Sequence, residues 1–255
     1  MQPDATRYRI LILICVVASI ATFLSPRIAQ DPLYHQFADQ SSLLSIPNAL
    51  NVLTNLLFGW AGGVGLYRLV LQKSLCIEAG IVLAYFFFFL ALVLIAIGSA
   101  YYHWSPDNQS LLWDRLPITI VVMSFVTILI AERLSVSLAK KLFPVLLAVG
   151  IASIVYWHFS ELSGNGDLRP YALVQFLPIL LAPFILLMFD SPYDRNADLW
   201  WFLAWFLVAR ICELLDTEIY NWLVLVSGHS LKHITAGIGC LVFLRYLSLR
   251  RSRDQ

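Results

Sequence analysis

The chain has 255 residues, of which 60% are hydrophobic and 13% charged, and its mean hydropathy is +0.76. A soluble globular domain is about one quarter charged, so this composition excludes a soluble protein and points to an integral membrane one. The formal net charge of +1 provides no basic face, which excludes nucleic acid as a partner.

A window of about 19 residues, enough to cross roughly 30 Å of hydrocarbon, gives eight spans. They lie near 8–28, 47–72, 77–103, 114–132, 138–157, 168–188, 197–214 and 229–247. The expected fold is all-α, a polytopic bundle of membrane helices. In chain order, Arg7 and Arg9 precede the first apolar run. No small-x-small cleavage site follows "SPRIAQ", which favours an uncleaved anchor over a signal peptide. Residues 1–34 therefore read as an N-terminal anchor and loop. The second span contains "NVLTNLLFG".

The third span ends "IAIGSAYYHWSPDNQ", where Ser99 and His103 sit at i and i+4 on one helix face. After a ten-residue connection the fourth span opens with "LLWDRLPI". Asp114 thus returns to the membrane from the side where His103 left it, with Arg115 as a surface neighbour. The fifth span ends "YWHFSEL", where His158 reads as part of an interfacial aromatic belt with Tyr156 and Trp157. In "ARICELLDTEIYNW" the residues Arg210, Glu213 and Asp216 are three apart and predict an ion-paired network, with headgroup recognition as the alternative. The last span opens "SGHSLKHITAG", with His229 and His233 one helical turn apart. The breakers expected of short loops appear in "SPDNQS", "SGNGDLRP" and "DSPYDRNAD". The cysteines, Cys15, Cys76, Cys212 and Cys240, show no CxxC spacing and read as core residues without disulfides.

Charge gives an orientation. With the N-terminus inside, twelve of the 17 basic residues fall on the inner side, so both termini are expected in the cytoplasm. Residues 248–255 then form a basic cytoplasmic tail. All five histidines fall towards the outer side, and the inner halves of the spans read as nearly free of charge.

Taken singly, each polar residue has a plain structural explanation. An H-x-x-x-H pair can be an interfacial packing feature, Ser99 a small residue at a helix contact, and Asp114 a group favoured by its helix dipole. Together, three imidazoles, a carboxylate and a hydroxyl at one membrane depth are difficult to leave unpaired, and a cation would satisfy them. His at i, i+4 can share zinc. The Glu of the H-E-x-x-H motif is absent, which leaves Asp114 as the available general base.

The segments "GSAYYHWSPDNQSLLWDRLP" and "SGHSLKHITAG", with "NVLTNLLFG", resemble the alkaline ceramidase family. That family is part of a superfamily of seven-helix membrane hydrolases that includes the adiponectin and progestin receptors. The resemblance covers about residues 35–247 and implies a seven-helix domain there, preceded by one additional helix. It implies that His103, His229 and His233 bind zinc, that Asp114 helps activate water and that Ser99 helps stabilise the oxyanion. The implied reaction is hydrolysis of ceramide or a similar N-acyl membrane lipid to a fatty acid and a sphingoid-type base, at a site on the outer side. The eukaryotic members also hold calcium before the first core helix. Here "FADQSSLLSIPN" supplies Asp39, while Asn48 stands where an acid is expected, which weakens the case for calcium. The alternatives are a receptor of the same fold with a structural zinc site, and an ion or proton transporter, which would require a polar path to the inner side.

Overall fold

The computed structural model describes residues 5–253 and is helical over that range, with only isolated bridges of β type. The helices are α1 Ala5–Leu24, α2 Ala49–Leu53, α3 Leu56–Leu66, α4 Val82–Trp104, α5 Asn108–Arg133, α6 Val136–Leu162, α7 Arg169–Met188, α8 Asn196–Leu214, α9 Asp216–Leu223 and α10 Gly228–Leu249. The chain is an all-helical, polytopic membrane bundle. Among the described residues six segments are long and apolar enough to cross a membrane: Ala5–Leu24, Ala49–Gln72, Ala79–Trp104, Asn108–Arg133, Val136–Leu162 and Arg169–Met188.

The last two expected spans are present as α8, of 19 residues, and α10, of 22. Their ionisable side chains are partnered within the bundle. Asp198 pairs with Arg195 at 2.7 Å, and Glu213 with both Arg210 and Lys232.

α5 is the central helix, with 72% of its apolar window buried against 6% for α1. It also starts earlier than expected. Asp107 accepts from the Ser110 N–H at 2.6 Å, and the Ser110 hydroxyl accepts from the Asp107 N–H at 3.0 Å. This reciprocal cap starts the helix at Asn108, so the α4–α5 connection is the tight turn Ser105–Asp107. "SPDNQS" both breaks one helix and caps the next.

The additional N-terminal helix lies outside the bundle, antiparallel to α7. Arg7 Nη1 donates to the Met188 carbonyl at 2.6 Å at one end, and Arg169 Nη1 donates to the Ser25 carbonyl at 2.7 Å at the other. The middle of the bundle is held by aromatic packing, with Phe88 against Phe243 at 4.8 Å and Phe125 against Phe202 at 4.7 Å between ring centroids.

The end opposite the three histidines departs from the expectation of spans nearly free of charge. Glu132 and Arg250 pair at 2.6 Å with both side chains 0% exposed. Tyr85 and Tyr246 donate to the two Glu132 oxygens at 2.5 and 3.3 Å, and Arg250 Nε donates to the Cys76 carbonyl at 2.7 Å. Arg250 is therefore a fixed part of the bundle rather than a residue of a free tail. Arg251 and Arg253 continue onto the α7–α8 loop through backbone bonds to Asp194 and Pro192. Every member of the Glu132–Arg250 knot is partnered, and none lines the central cavity. It closes that end of the bundle rather than opening a polar path.

A candidate metal centre

Ser99 and His103 lie one turn apart at the end of α4, 2% and 0% exposed. Their place beside α5 depends on Gly98. A Cβ there would stand 2.1 Å from the Trp113 carbonyl oxygen, so only glycine permits the two backbones to approach this closely. The next residue on each helix is brought to the same place: Ser99 and Asp114 line one cavity.

α10 is fixed with similar closeness. Ser227 caps it by accepting from the Ser230 N–H at 3.2 Å. A Cβ on Gly228 would lie 2.1 Å from the Cys212 carbonyl oxygen, which sets the helix start against the end of α8. Asp216 Oδ1 accepts from the His229 N–H at 2.6 Å, and its Oδ2 accepts from the Ala38 N–H at 3.1 Å. Asp216 thus stands outside the expected ion-pair network and positions the first histidine of α10. Arg210 and Glu213 do pair, and Lys232 completes their cluster by bonding to Glu213 Oε1 at 3.1 Å and His229 Nε2 at 3.0 Å.

His103, His229 and His233 converge. All three are buried, and one ligand atom from each lies within 4.8 Å of the others. The ring centroids are 4.8 to 5.0 Å apart. Both ring nitrogens of His103 are buried without a protein partner, while its backbone carbonyl accepts from Asn48 Nδ2 at 2.8 Å. Unpaired buried imidazole nitrogens are costly, and a cation shared by the trio would take one of the two on His103. His233 is preset for this. Thr54 Oγ1 spends its only proton on the Leu50 carbonyl at 2.7 Å and lies 3.0 Å from His233 Nδ1. The hydroxyl must accept there, so Nδ1 carries the hydrogen and the Nε2 lone pair is left for a metal. A donor set of neutral nitrogens fits zinc.

From the polar end of this site an apolar cavity of about 540 Å³ runs into the bundle among α4, α5, α7, α8 and α10, past Leu92, Phe125, Phe202 and Cys240. The decisive comparison is with protein-family models: the one for ceramidases matches residues 41–255. The chain belongs to the ceramidase family. The match leaves out α1 and extends past the expected end at 247 to the docked C-terminal segment. Membership makes this a multi-pass membrane hydrolase acting on amide bonds, with a ceramide-like lipid as substrate. The comparison with curated proteins finds no match.

The other sequence candidates fall outside the ceramidase trio. Asp39 is buried, with Oδ1 accepting from the Ser41 N–H at 2.9 Å, and Asn48 is turned to His103. Among the described residues the histidines are the only group of three or more metal-ligating side chains found together, so no carboxylate-rich cage surrounds Asp39. His35 bonds to Tyr102 and Asn108 at 3.1 and 3.0 Å. The His158 ring lies against those of its neighbours Trp157 and Phe159, 6.4 and 5.7 Å between centroids. Trp157 is 0% exposed and is no belt residue: Arg115 lies over its ring at 4.5 Å. Arg115 is also buried, a correction to its expected place at the surface. Thr54 and Lys232 bond to the trio without having stood out in the sequence, because Thr54 and the Glu213 partner of Lys232 lie elsewhere in the chain, while Asn48 and Asp216, marked for other roles, hold the backbone of His103 and His229.

Proposed function

We propose that this ceramidase-family protein is a zinc-dependent intramembrane hydrolase that cleaves ceramide or a similar N-acyl lipid. The observation that carries the reading is the buried trio of His103, His229 and His233, with both ring nitrogens of His103 unpaired and with Ser99 and Asp114 lining the same cavity as His233. The three histidines would hold the zinc ion. When bound, zinc supplies Lewis acidity and makes water acidic enough to act as a nucleophile near neutral pH.

The chain's own groups supply the rest. The Asp114 carboxylate receives the proton that the attacking water loses and returns a proton to the departing nitrogen. The Ser99 hydroxyl donates to the carbonyl oxygen as negative charge grows there. The apolar cavity holds the acyl chain. Phe37, packed 4.6 Å from His103 and 5.0 Å from His229 between ring centroids, keeps bulk water from the imidazoles. The water oxygen ends on the acyl carbon and a proton on the amine, giving a fatty acid and a sphingoid-type base. The basic residues favour cytoplasmic termini and a site facing the outer side. Residues 35–247 form the catalytic domain, with residues 1–34 as its anchor.

The test is fatty acid release from labelled ceramides by the purified protein and its His229→Ala variant, with zinc measured in both. The wild type should hold about one zinc per chain and release fatty acid, and the variant should do neither. Stoichiometric zinc without hydrolysis of any amide lipid would favour a receptor, and release that persists in the variant would overturn the ligand assignment.

A further inference from the structure

Arg115 is the one cation of the cavity that the bundle leaves without a carboxylate. It is 6% exposed and lines the cavity next to Asp114. Its guanidinium lies over three rings, 4.5 Å from Trp157, 5.0 Å from Tyr171 and 5.3 Å from Tyr34. Aromatic faces attract the charge but accept no strong hydrogen bond, and Nη1 is buried without a partner. Among the described residues no carboxylate stands within salt-bridge distance of Arg115.

The carboxylate of Glu213 is already matched. Glu213 is engaged by Arg210 and Lys232, and Tyr34 donates to Glu213 Oε1 at 3.4 Å. A chain of contacts therefore runs from Arg115 through Tyr34, Glu213 and Lys232 to His229, which puts the free guanidinium at the polar end of the site. The lining holds three cations, Arg115, Arg210 and Lys232, against two carboxylates, Asp114 and Glu213.

A buried ionised group without a counter-charge is expensive, and in a membrane bundle it marks function by default. A guanidinium is a planar fork of donors that fits carboxylate and phosphate oxygens in pairs. We infer that Arg115 is a specificity-determining group that receives an anionic oxygen substituent, a carboxylate or a phosphate, on the amine-bearing half of the substrate. The acyl chain occupies the apolar cavity, and the preferred substrates are N-acyl lipids with an acidic head. This rests on the proposed amide hydrolysis, in which water adds across the C–N bond and the acidic group stays on the released amine.

The experiment uses two matched pairs with the full-length, metal-loaded protein. The first is N-palmitoylglycine against its methyl ester, and the second is ceramide 1-phosphate against ceramide. Within the carboxylate pair, the phosphate pair or both, the acidic member should show about tenfold or greater preference in kcat/KM, carried by KM. The pair that shows it identifies the group as carboxylate or phosphate. Arg115→Gln should remove the preference, and Arg115→Lys should keep part of it, in protein that retains its zinc and elutes as the wild type.

Equal handling of acidic and neutral members in both pairs, or a preference that survives Arg115→Gln, would overturn the inference. Binding to metal-loaded Asp114→Asn protein supplies an independent readout. If no amide is cleaved, the hydrolase reading fails, yet the acidic ligand must still bind about tenfold tighter than its neutral partner and lose that advantage on Arg115→Gln.

Discussion

Replacing Gly98 by alanine tests whether the closeness of α4 and α5 assembles the site. The added Cβ would sit 2.1 Å from the Trp113 carbonyl oxygen, whereas a carbon rests against such an oxygen at about 3.3 Å. The helices must therefore part by about 1.2 Å, a gap set by that same contact distance. Both backbones are helical at this point, so no flexible side chain can absorb the clash, and the strain is of the size that overpacking carries, about 1 to 3 kcal/mol. The separation acts directly on Ser99 and Asp114, the next residues on the two helices. A misplacement of about 1 Å in such a pair costs about 100-fold in rate. The three metal ligands lie on α4 and α10, so a shift of α5 moves Asp114 and leaves the trio together. Gly98→Ala should therefore lose about 100-fold in kcat/KM for fatty acid release, with a lowered melting temperature in detergent and retained zinc. Activity within about twofold of wild type, a barrier change well under 1 kcal/mol, would refute the claim that this contact sets the catalytic geometry.

Thr54→Val removes the acceptor that fixes the His233 tautomer and should weaken zinc binding by about 10- to 100-fold in a chelator competition. Glu132→Gln leaves the buried Arg250 charge unmatched and should lower unfolding stability by about 3 to 5 kcal/mol. In the same protein zinc content should stay at the wild-type level, and adding Arg250→Met should restore much of the loss. At the loop before α7, the hydrogen bonds and charge of Arg169 hold the Asp167 carboxyl below the usual carboxylate range. A depressed folded value contributes stability above the unfolded value that disappears as pH falls through the folded one. Melting curves of wild type and Asp167→Asn should accordingly differ near neutral pH and converge in acid.

The recognisable part of the site is local in sequence. Ser99 and His103, and His229 and His233, each stand one turn apart on a single helix, so 3.6-residue periodicity alone puts each pair on one face. The tight α4–α5 turn then delivers Asp114. The supporting residues are not local. Thr54 reaches His233 across 179 positions, and Ser230 reaches Asn51 across the same separation. Such contacts leave no periodic trace. Lys232 looked like a spacer between histidines and Arg115 like a polar neighbour of Asp114, because exposure on a helix end cannot be read without the helix opposite. Arg250 misled for another reason: in a basic C-terminal run it resembles Arg251 and Arg253, and only the buried Glu132 sets it apart.

Metal removal from the purified protein, followed by metal return, bears most directly on the central claim. Fatty acid release from ceramide-type or acid-headed N-acyl lipids should vanish when a chelator strips the protein and return when zinc is restored to about one per chain. Amide hydrolysis that continues at the original rate in protein shown to be metal-free would contradict it.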